Sequence, residues 1–248
     1  MFLELFREKR PILGMLHLKG DTRAARMDRV LLEADIYARC GVDGMIVEDY
    51  FGDADDVEAA LALLRRERPD YTLGVNVLDQ FERSYDLAEA YGAPFMQVDS
   101  VCGHLPVEED AAYAAMIEKR RARGTVAVIG GVRFKYQKYL SGRSLEEDLR
   151  FGMQRCDAIA VTGEGTGMDT ADDKIREFRA IAGQFPLVVA AGLTADTVPT
   201  KLALGDAAIV GSTFKDTRKD TGDVCEAHVR EFMDAVRGLR QAEAHGAV

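Results

Sequence analysis

Leu187-Val188-Val189-Ala190-Ala191-Gly192-Leu193-Thr194 and its sequel Ala207-Ala208-Ile209-Val210-Gly211-Ser212-Thr213-Phe214-Lys215 decide the fold. Each is a short apolar run that ends in glycine and a hydroxyl residue, and a helical pattern follows each one. Strands this apolar are buried on both faces, which is the condition of a parallel sheet covered by helices. Two consecutive strands that close on Gly-Leu-Thr and Gly-Ser-Thr bring bare backbone N–H groups to the same end of the sheet. In a (β/α)8 barrel the loops after strands seven and eight are the usual phosphate site.

Working outward, the same unit recurs along the chain. Strands are expected at 11–18, 42–47, 71–78, 95–101, 126–132 and 158–162. Helices are expected at about 23–40, 54–68, 80–91, 108–123, 144–155 and 170–182, then a short one at 195–204 and a last one at 223–239. Gly41, Gly92 and Gly124 close three helices, Pro69 breaks another, and Ser144 with Glu147 forms a capping box. Eight strand-helix units with short connections and no linker make an α/β protein of one domain, residues 1–248, a single (β/α)8 TIM barrel. A short N-terminal helical segment, 1–10, either plugs the barrel bottom or packs on a partner chain, which would make a homo-oligomer. Residues 241–248 read as a frayed tail. An open doubly wound sheet fits less well, because no Gly-rich dinucleotide turn follows strand one.

Composition limits the function. The 248 residues carry a formal charge of −10, which argues against a nucleic-acid groove or an anionic membrane surface as partner. No run approaches the ~18 apolar residues of a membrane span, and the N-terminus lacks the pattern of a signal peptide. A cytoplasmic protein acting on a small molecule is the expectation. Cys40, Cys102, Cys156 and Cys225 show no paired spacing, so they read as free thiols.

In a barrel the C-terminal strand ends share one mouth, and polar residues there are placed for function. Asp99 stands out, because a carboxylate inside Phe-Met-Gln-Val-Asp-Ser-Val is costly to bury unless it is paired or functional. Its structural alternative is a tie to Arg133 or Lys135. Glu48 ends strand two in the same way, its alternative being a salt bridge to Lys19; for Asp49 a bridge or a helix cap is favoured outright. Two such carboxylates can divide acid and base roles, with Lys135 as electrostatic help. His17, Asn76, His104, Arg133 and Glu164 are candidates for binding substrate. Asn76 is placed to orient a sugar hydroxyl or a catalytic carboxylate. Gly163, in the turn Gly163-Glu164-Gly165-Thr166-Gly167, joins Gly192, Gly211 and Ser212 as candidate phosphate donors. No cofactor is demanded: Glu48, Asp99 and a histidine suit a divalent metal by type, but no spacing requires one. The longer loop from Arg133 through Gly142 is a lid candidate.

Four stretches carry a resemblance: Gly-Val-Asp-Gly-Met-Ile-Val-Glu-Asp-Tyr (41–50), Leu-Gly-Val-Asn-Val-Leu (73–78), Asp-Ala-Ile-Ala-Val-Thr-Gly-Glu-Gly-Thr-Gly (157–167) and Ile-Val-Gly-Ser-Thr-Phe-Lys (209–215). Together they resemble the BtpA/SgcQ family in register from about His17 to Met233. The resemblance implies a phosphate-binding TIM barrel, related in architecture to phosphoribosylanthranilate isomerase. It implies either sugar-linked chemistry or, as in a cyanobacterial branch, a role in photosystem I biogenesis. The chain departs from relatives at Phe134-Lys135-Tyr136, where they commonly read Val-Lys-His, and at Asp79-Gln80. The expected activity is acid-base catalysis on a small phosphorylated or ribosyl-type metabolite, leaning to glycosidic-bond hydrolysis of a nucleoside or sugar conjugate. Isomerase or lyase chemistry is the first alternative, a Schiff-base aldolase using Lys135 a weaker one, and a non-catalytic assembly factor the alternative from another class.

Overall fold

A computed structural model describes residues 2–246. Eight parallel strands close in sequence order into a barrel: β1 (Ile12–Leu16), β2 (Gly44–Glu48), β3 (Leu73–Asn76), β4 (Phe95–Cys102), β5 (Ala127–Val132), β6 (Ala158–Val161), β7 (Leu187–Val189) and β8 (Ala207–Val210). The helices between and after them are α1 (Arg23–Cys40), α2 (Ala54–Glu67), α3 (Phe81–Ala90), α4 (Val107–Arg121), α5 (Leu145–Arg155), α6 (Asp172–Ala182), α7 (Val198–Leu204) and α8 (Glu226–Ala244). This is the (β/α)8 TIM barrel that the strand runs imply.

The strands are apolar on both faces because two cores meet at them. Residues such as Leu16, Val47, Val75 and Val189 pack outward under the helices. Leu13, Ile46, Phe95, Ile129, Val188 and Ile209 fill the barrel itself. The N-terminal segment settles into that inner core. Only Phe2–Leu5 is helical, as a 3-10 turn, and the fully buried Phe2 meets Phe6 and Phe95 edge to face at 5.4 and 6.1 Å. Phe2 thus belongs to the barrel bottom and is not offered to a partner chain. Gly74 makes room there, since a Cβ on it would lie 2.2 Å from the Phe95 ring.

The C-terminus is more ordered than its composition suggests. α8 continues to Ala244, and Glu243 accepts from Arg10 at 2.9 and 3.1 Å, which ties the two ends of the chain together. Of the expected 241–248 tail, residues 247 and 248 lie outside the described residues, as does residue 1 of the N-terminal segment. The expected capping box is present, with the Glu147 N–H on Ser144 Oγ and the Ser144 N–H on Glu147.

One irregularity shapes the mouth. Val98 pairs with Gly130 and Cys102 with Val132, so four steps along β4 match two along β5. The extra residues bulge at Asp99. Gly131 permits the bulge, because a Cβ there would lie 2.1 Å from the Asp99 carbonyl oxygen.

Candidate functional site

The strand ends converge on a cavity of about 290 Å³ at the C-terminal mouth. From β1 and β2 come His17 and Glu48; from β4, Gln97 and Asp99. The loop after β5 adds Phe134, Lys135 and Tyr136, and the loops after β7 and β8 add Gly192, Gly211, Ser212 and Thr213. Seven of the residues singled out in the sequence therefore share one space: His17, Glu48, Asp99, Lys135, Gly192, Gly211 and Ser212. All but Asp99, which sits at the bulge within β4, lie at or just past a strand end, which is why strand position could find them.

The two carboxylates lie in water-poor surroundings. Glu48 is 6% exposed. Burial, with Asp99 nearby as a second acid, pushes its carboxyl up to about 8. Asn76 stands behind it, donating through Nδ2 to Glu48 Oε1 at 2.8 Å. Asp99 is also raised by burial, though the Lys135 ammonium and the Gln97 amide pull it back; Gln97 Nε2 reaches its Oδ1 at 3.2 Å. Glu48 is therefore the acid that keeps its proton near neutral pH, with Asp99 the one beside a cation. His17 Nε2 lies 3.5 Å from Glu48 Oε2. This contact is not an ion pair, because burial, together with Lys215 and Lys135, depresses the imidazole to about 3 and leaves it neutral.

Of the ties weighed for the two acids, only the electrostatic pull of Lys135 on Asp99 is present. Lys19 bonds Asp223 and the Thr221 carbonyl instead of Glu48. Arg133 turns away from Asp99: its backbone is left-handed, with φ 49°, and its Nε donates to Asp148 at 3.2 Å. Asp49 makes neither the bridge nor the helix cap favoured for it, since Lys19 is taken by Asp223 and Asp53 caps α2; it accepts from the Leu78 N–H at 2.9 Å instead.

Four other candidates stand outside the cavity. Arg133 belongs to a buried ionic cluster in which Asp148 and Asp110 face Arg133, Arg143 and Arg155. His104 packs edge to face on Tyr113 at 5.1 Å. Glu164 is exposed. Gly163 is a glycine for packing, since a Cβ would meet the Asp169 carbonyl oxygen at 2.4 Å. Gly192 carries the same constraint from that loop: its φ is 69° and a Cβ would lie 2.3 Å from Met168 O. Among the described residues no three of His, Cys, Asp and Glu gather as a group that could hold a metal ion.

Several lining residues escaped the sequence reading. Tyr50, Gln137 and Thr166 border the cavity from βα loops, beside Asp79 and Tyr136, which as departures from the family pattern are expected to line the substrate side. Thr166 is the hub of the turn after β6. Its N–H donates to the Tyr136 hydroxyl at 2.9 Å, and its own hydroxyl accepts from Lys135 Nζ at 3.3 Å. The Lys135 N–H donates to the Thr162 hydroxyl at 2.9 Å, and the Leu140 and Ser141 amides donate to the Gly103 carbonyl, so the Arg133–Gly142 loop is tied down near both ends. Beside the cavity, sharing Gly167, Gly192 and Thr213 with it, a rim cleft is bounded by Thr194, Asp196 and Arg218.

The comparisons agree with this architecture. A family model described as the BtpA family matches residues 8–238. An uncharacterized protein of Thermococcus kodakarensis is 28% identical over 95% of this chain and 98% of its own length. The photosystem I biogenesis protein BtpA of Synechocystis is 23% identical over 99% of this chain and 94% of its own. Among solved structures, phosphoribosyl anthranilate isomerase from Thermus thermophilus superposes with a TM-score of 0.62 at 17% identity, over 92% of this chain and 99% of that one. Thiamine phosphate pyrophosphorylase from Pyrococcus furiosus does so at 0.58 and 15% identity, over 93% and 96%. These two likenesses concern the fold. Among the described residues no helix is long and apolar enough to cross a membrane.

Proposed function

The chain belongs to the BtpA family, and on that premise we propose that it is an enzyme of acid-base catalysis on a small phosphorylated or ribosyl-type metabolite, cleaving a glycosidic bond without a cofactor. The observation that carries this reading is the pairing of Glu48 and Asp99 in one buried cavity whose far side is the Gly192 and Gly211-Ser212 loops. Glu48, protonated near neutral pH, gives its proton to the leaving-group oxygen or nitrogen as the bond to the anomeric carbon breaks. Asp99 takes the proton of the water that attacks that carbon. Asn76 orients Glu48 through its 2.8 Å hydrogen bond. Lys135 draws the Asp99 carboxyl down against the upward push of its burial, which favours its role as base, and shields the substrate's negative charge. Gly192, Gly211 and Ser212 receive the phosphate through backbone N–H groups and a hydroxyl.

The same acid and base suit an isomerase or lyase, and the fold shared with phosphoribosyl anthranilate isomerase keeps that chemistry as the alternative. The test is a thermal-stability screen of sugar phosphates and nucleosides, followed by turnover assays on the hits. A true ligand at 100 times its dissociation constant adds about 2.7 kcal/mol, and turnover disappears in Glu48→Gln and Asp99→Asn while both variants still fold. The name of the Synechocystis relative supports a second reading, an assembly factor. Under that reading both variants keep full function in the cell and no ligand in the screen stabilises the protein.

A further inference from the structure

The cavity is sided. The loops after β7 and β8 line it with the backbone of Gly192 and Gly211 and the hydroxyls of Ser212 and Thr213. β3 and β4 stand half-way round the closed barrel from these strands, and on their side, beside the apolar Leu78, the polar lining is Asp99, Gln97 and Asp79, with acceptor oxygens on each. A ligand anionic at one end is matched by the first side. The second side calls for hydrogen-bond donors.

Two observations sharpen that demand. Gln97 is 4% exposed, its Nε2 is committed to Asp99, and its Oε1 is buried without a hydrogen-bond partner. An acceptor left so costs about 1–3 kcal/mol unless something brings it a hydrogen. Asp79 lines the same side in a left-handed conformation, φ 58°. The Gln137 amide touches its Oδ1 only at 3.4 Å, so most of the carboxylate's acceptor capacity is open.

Resting on the reading of a phosphorylated or ribosyl-type substrate, we infer that Asp79 and Gln97 are specificity-determining residues for hydroxyl groups at the end of the substrate away from its phosphate. The site thereby selects a sugar phosphate with a vicinal diol over its deoxy counterpart. A carboxylate can accept from both hydroxyls of a diol at once, each bond being charge-assisted. Carboxylates read ribose hydroxyls in dinucleotide-binding folds by the same chemistry. Removal of one hydroxyl breaks one bond and leaves an acceptor facing carbon.

Calorimetric titration with ribose 5-phosphate, 2-deoxyribose 5-phosphate and inorganic phosphate tests this on the whole protein. The native chain binds the ribose form about tenfold more tightly than the deoxy form. Asp79→Asn, a residue that tolerates left-handed backbone, brings the two within about twofold by weakening the ribose form, and inorganic phosphate binds both proteins alike. Asp79→Gly, free of any backbone strain, gives the same convergence. Equal affinity of the two sugar phosphates for the native chain overturns the inference, as does discrimination preserved in both variants, and either result leaves the phosphate site standing. If none of the three titrants binds, the phosphate-bearing substrate class falls and the diol selection falls with it.

Discussion

Two groups of acids in this barrel, one on helices α4 and α5 and the other on strands β2 and β4, are built in opposite ways. Asp148 is 0% exposed, yet it has Arg133 at 3.2 Å, the Ser141 hydroxyl at 2.9 Å and Arg143 at 3.8 Å. Asp110 receives Arg155 at 2.6 and 2.9 Å and Arg143 at 2.6 Å. Those guanidinium groups, Arg155 foremost, hold the Asp110 carboxyl down at about 2. Glu48 is nearly as deep and Asp99 half-buried, but their hydrogen-bond partners are the amides of Asn76 and Gln97. Depth alone therefore does not mark a working acid. What surrounds it does: a carboxylate ringed by arginine is fixed as an anion and serves as a strut, whereas one ringed by amides near a second acid can hold and release a proton.

The contrast breaks first on stability. Asp148→Ala leaves arginines without their partner and costs about 3–5 kcal/mol in urea unfolding. Glu48→Gln removes a group that is already neutral near pH 7 and costs under about 1 kcal/mol; equal losses at the two positions would erase the distinction drawn here.

Next comes the sign of the pH dependence. The Glu48 carboxyl is raised to about 8 in the fold from an ordinary 4.5, so the folded state holds this proton after the unfolded chain has lost it. The Glu48 contribution to stability is full below about pH 4.5, declines as pH rises and is gone above about 8. Asp110 runs the other way, with a contribution present above its ordinary 3.8 and lost as pH falls through about 2. Urea midpoints measured across pH in Glu48→Gln lack the alkaline decline and keep the acid one.

A finer cut separates Lys135 from the arginines. Its ammonium lowers Asp99 without forming a direct ion pair, so Lys135→Met raises the Asp99 carboxyl, read by carbon-detected NMR titration, and leaves Asp110 where it was. The smallest effect is expected at Tyr136. Tyr136→Phe deletes the acceptor of the Thr166 N–H, costs about 1 kcal/mol or less, and speeds hydrogen exchange at residues 163–167 while the Asp148 cluster stays protected.

The fold was legible because its signals are periodic. Eight apolar runs separated by helical patterns leave little choice of architecture, and a strand-end position brings Glu48, Asp99 and Lys135 to one mouth with no knowledge of loop shape. Loop shape is what the sequence concealed. Arg133 follows a strand as directly as Lys135 does, but its left-handed backbone delivers it to Asp148 on α5, a residue that reads in sequence as one more charge in a helix's first turn. Gly163 and Gly192 look alike as amide donors, and only the approach of the Met168-Asp169 backbone shows that both are also glycines of necessity. Tyr50, Gln137 and Thr166 come from turns without periodicity, and no pattern announces that such residues face inward. The bulge that seats Asp99 is hidden too, since an extra pair of residues in β4 shows only in its pairing with β5.

The Phe2 stopper has a kinetic consequence. Phe2, buried against Phe6 and Phe95, joins an inner core that already fills the barrel beneath the cavity, so whatever enters by the mouth leaves by the mouth. Under the proposed cleavage, two fragments formed from one substrate would share that single exit, and the one lodged deeper would be the stronger product inhibitor in initial-rate assays.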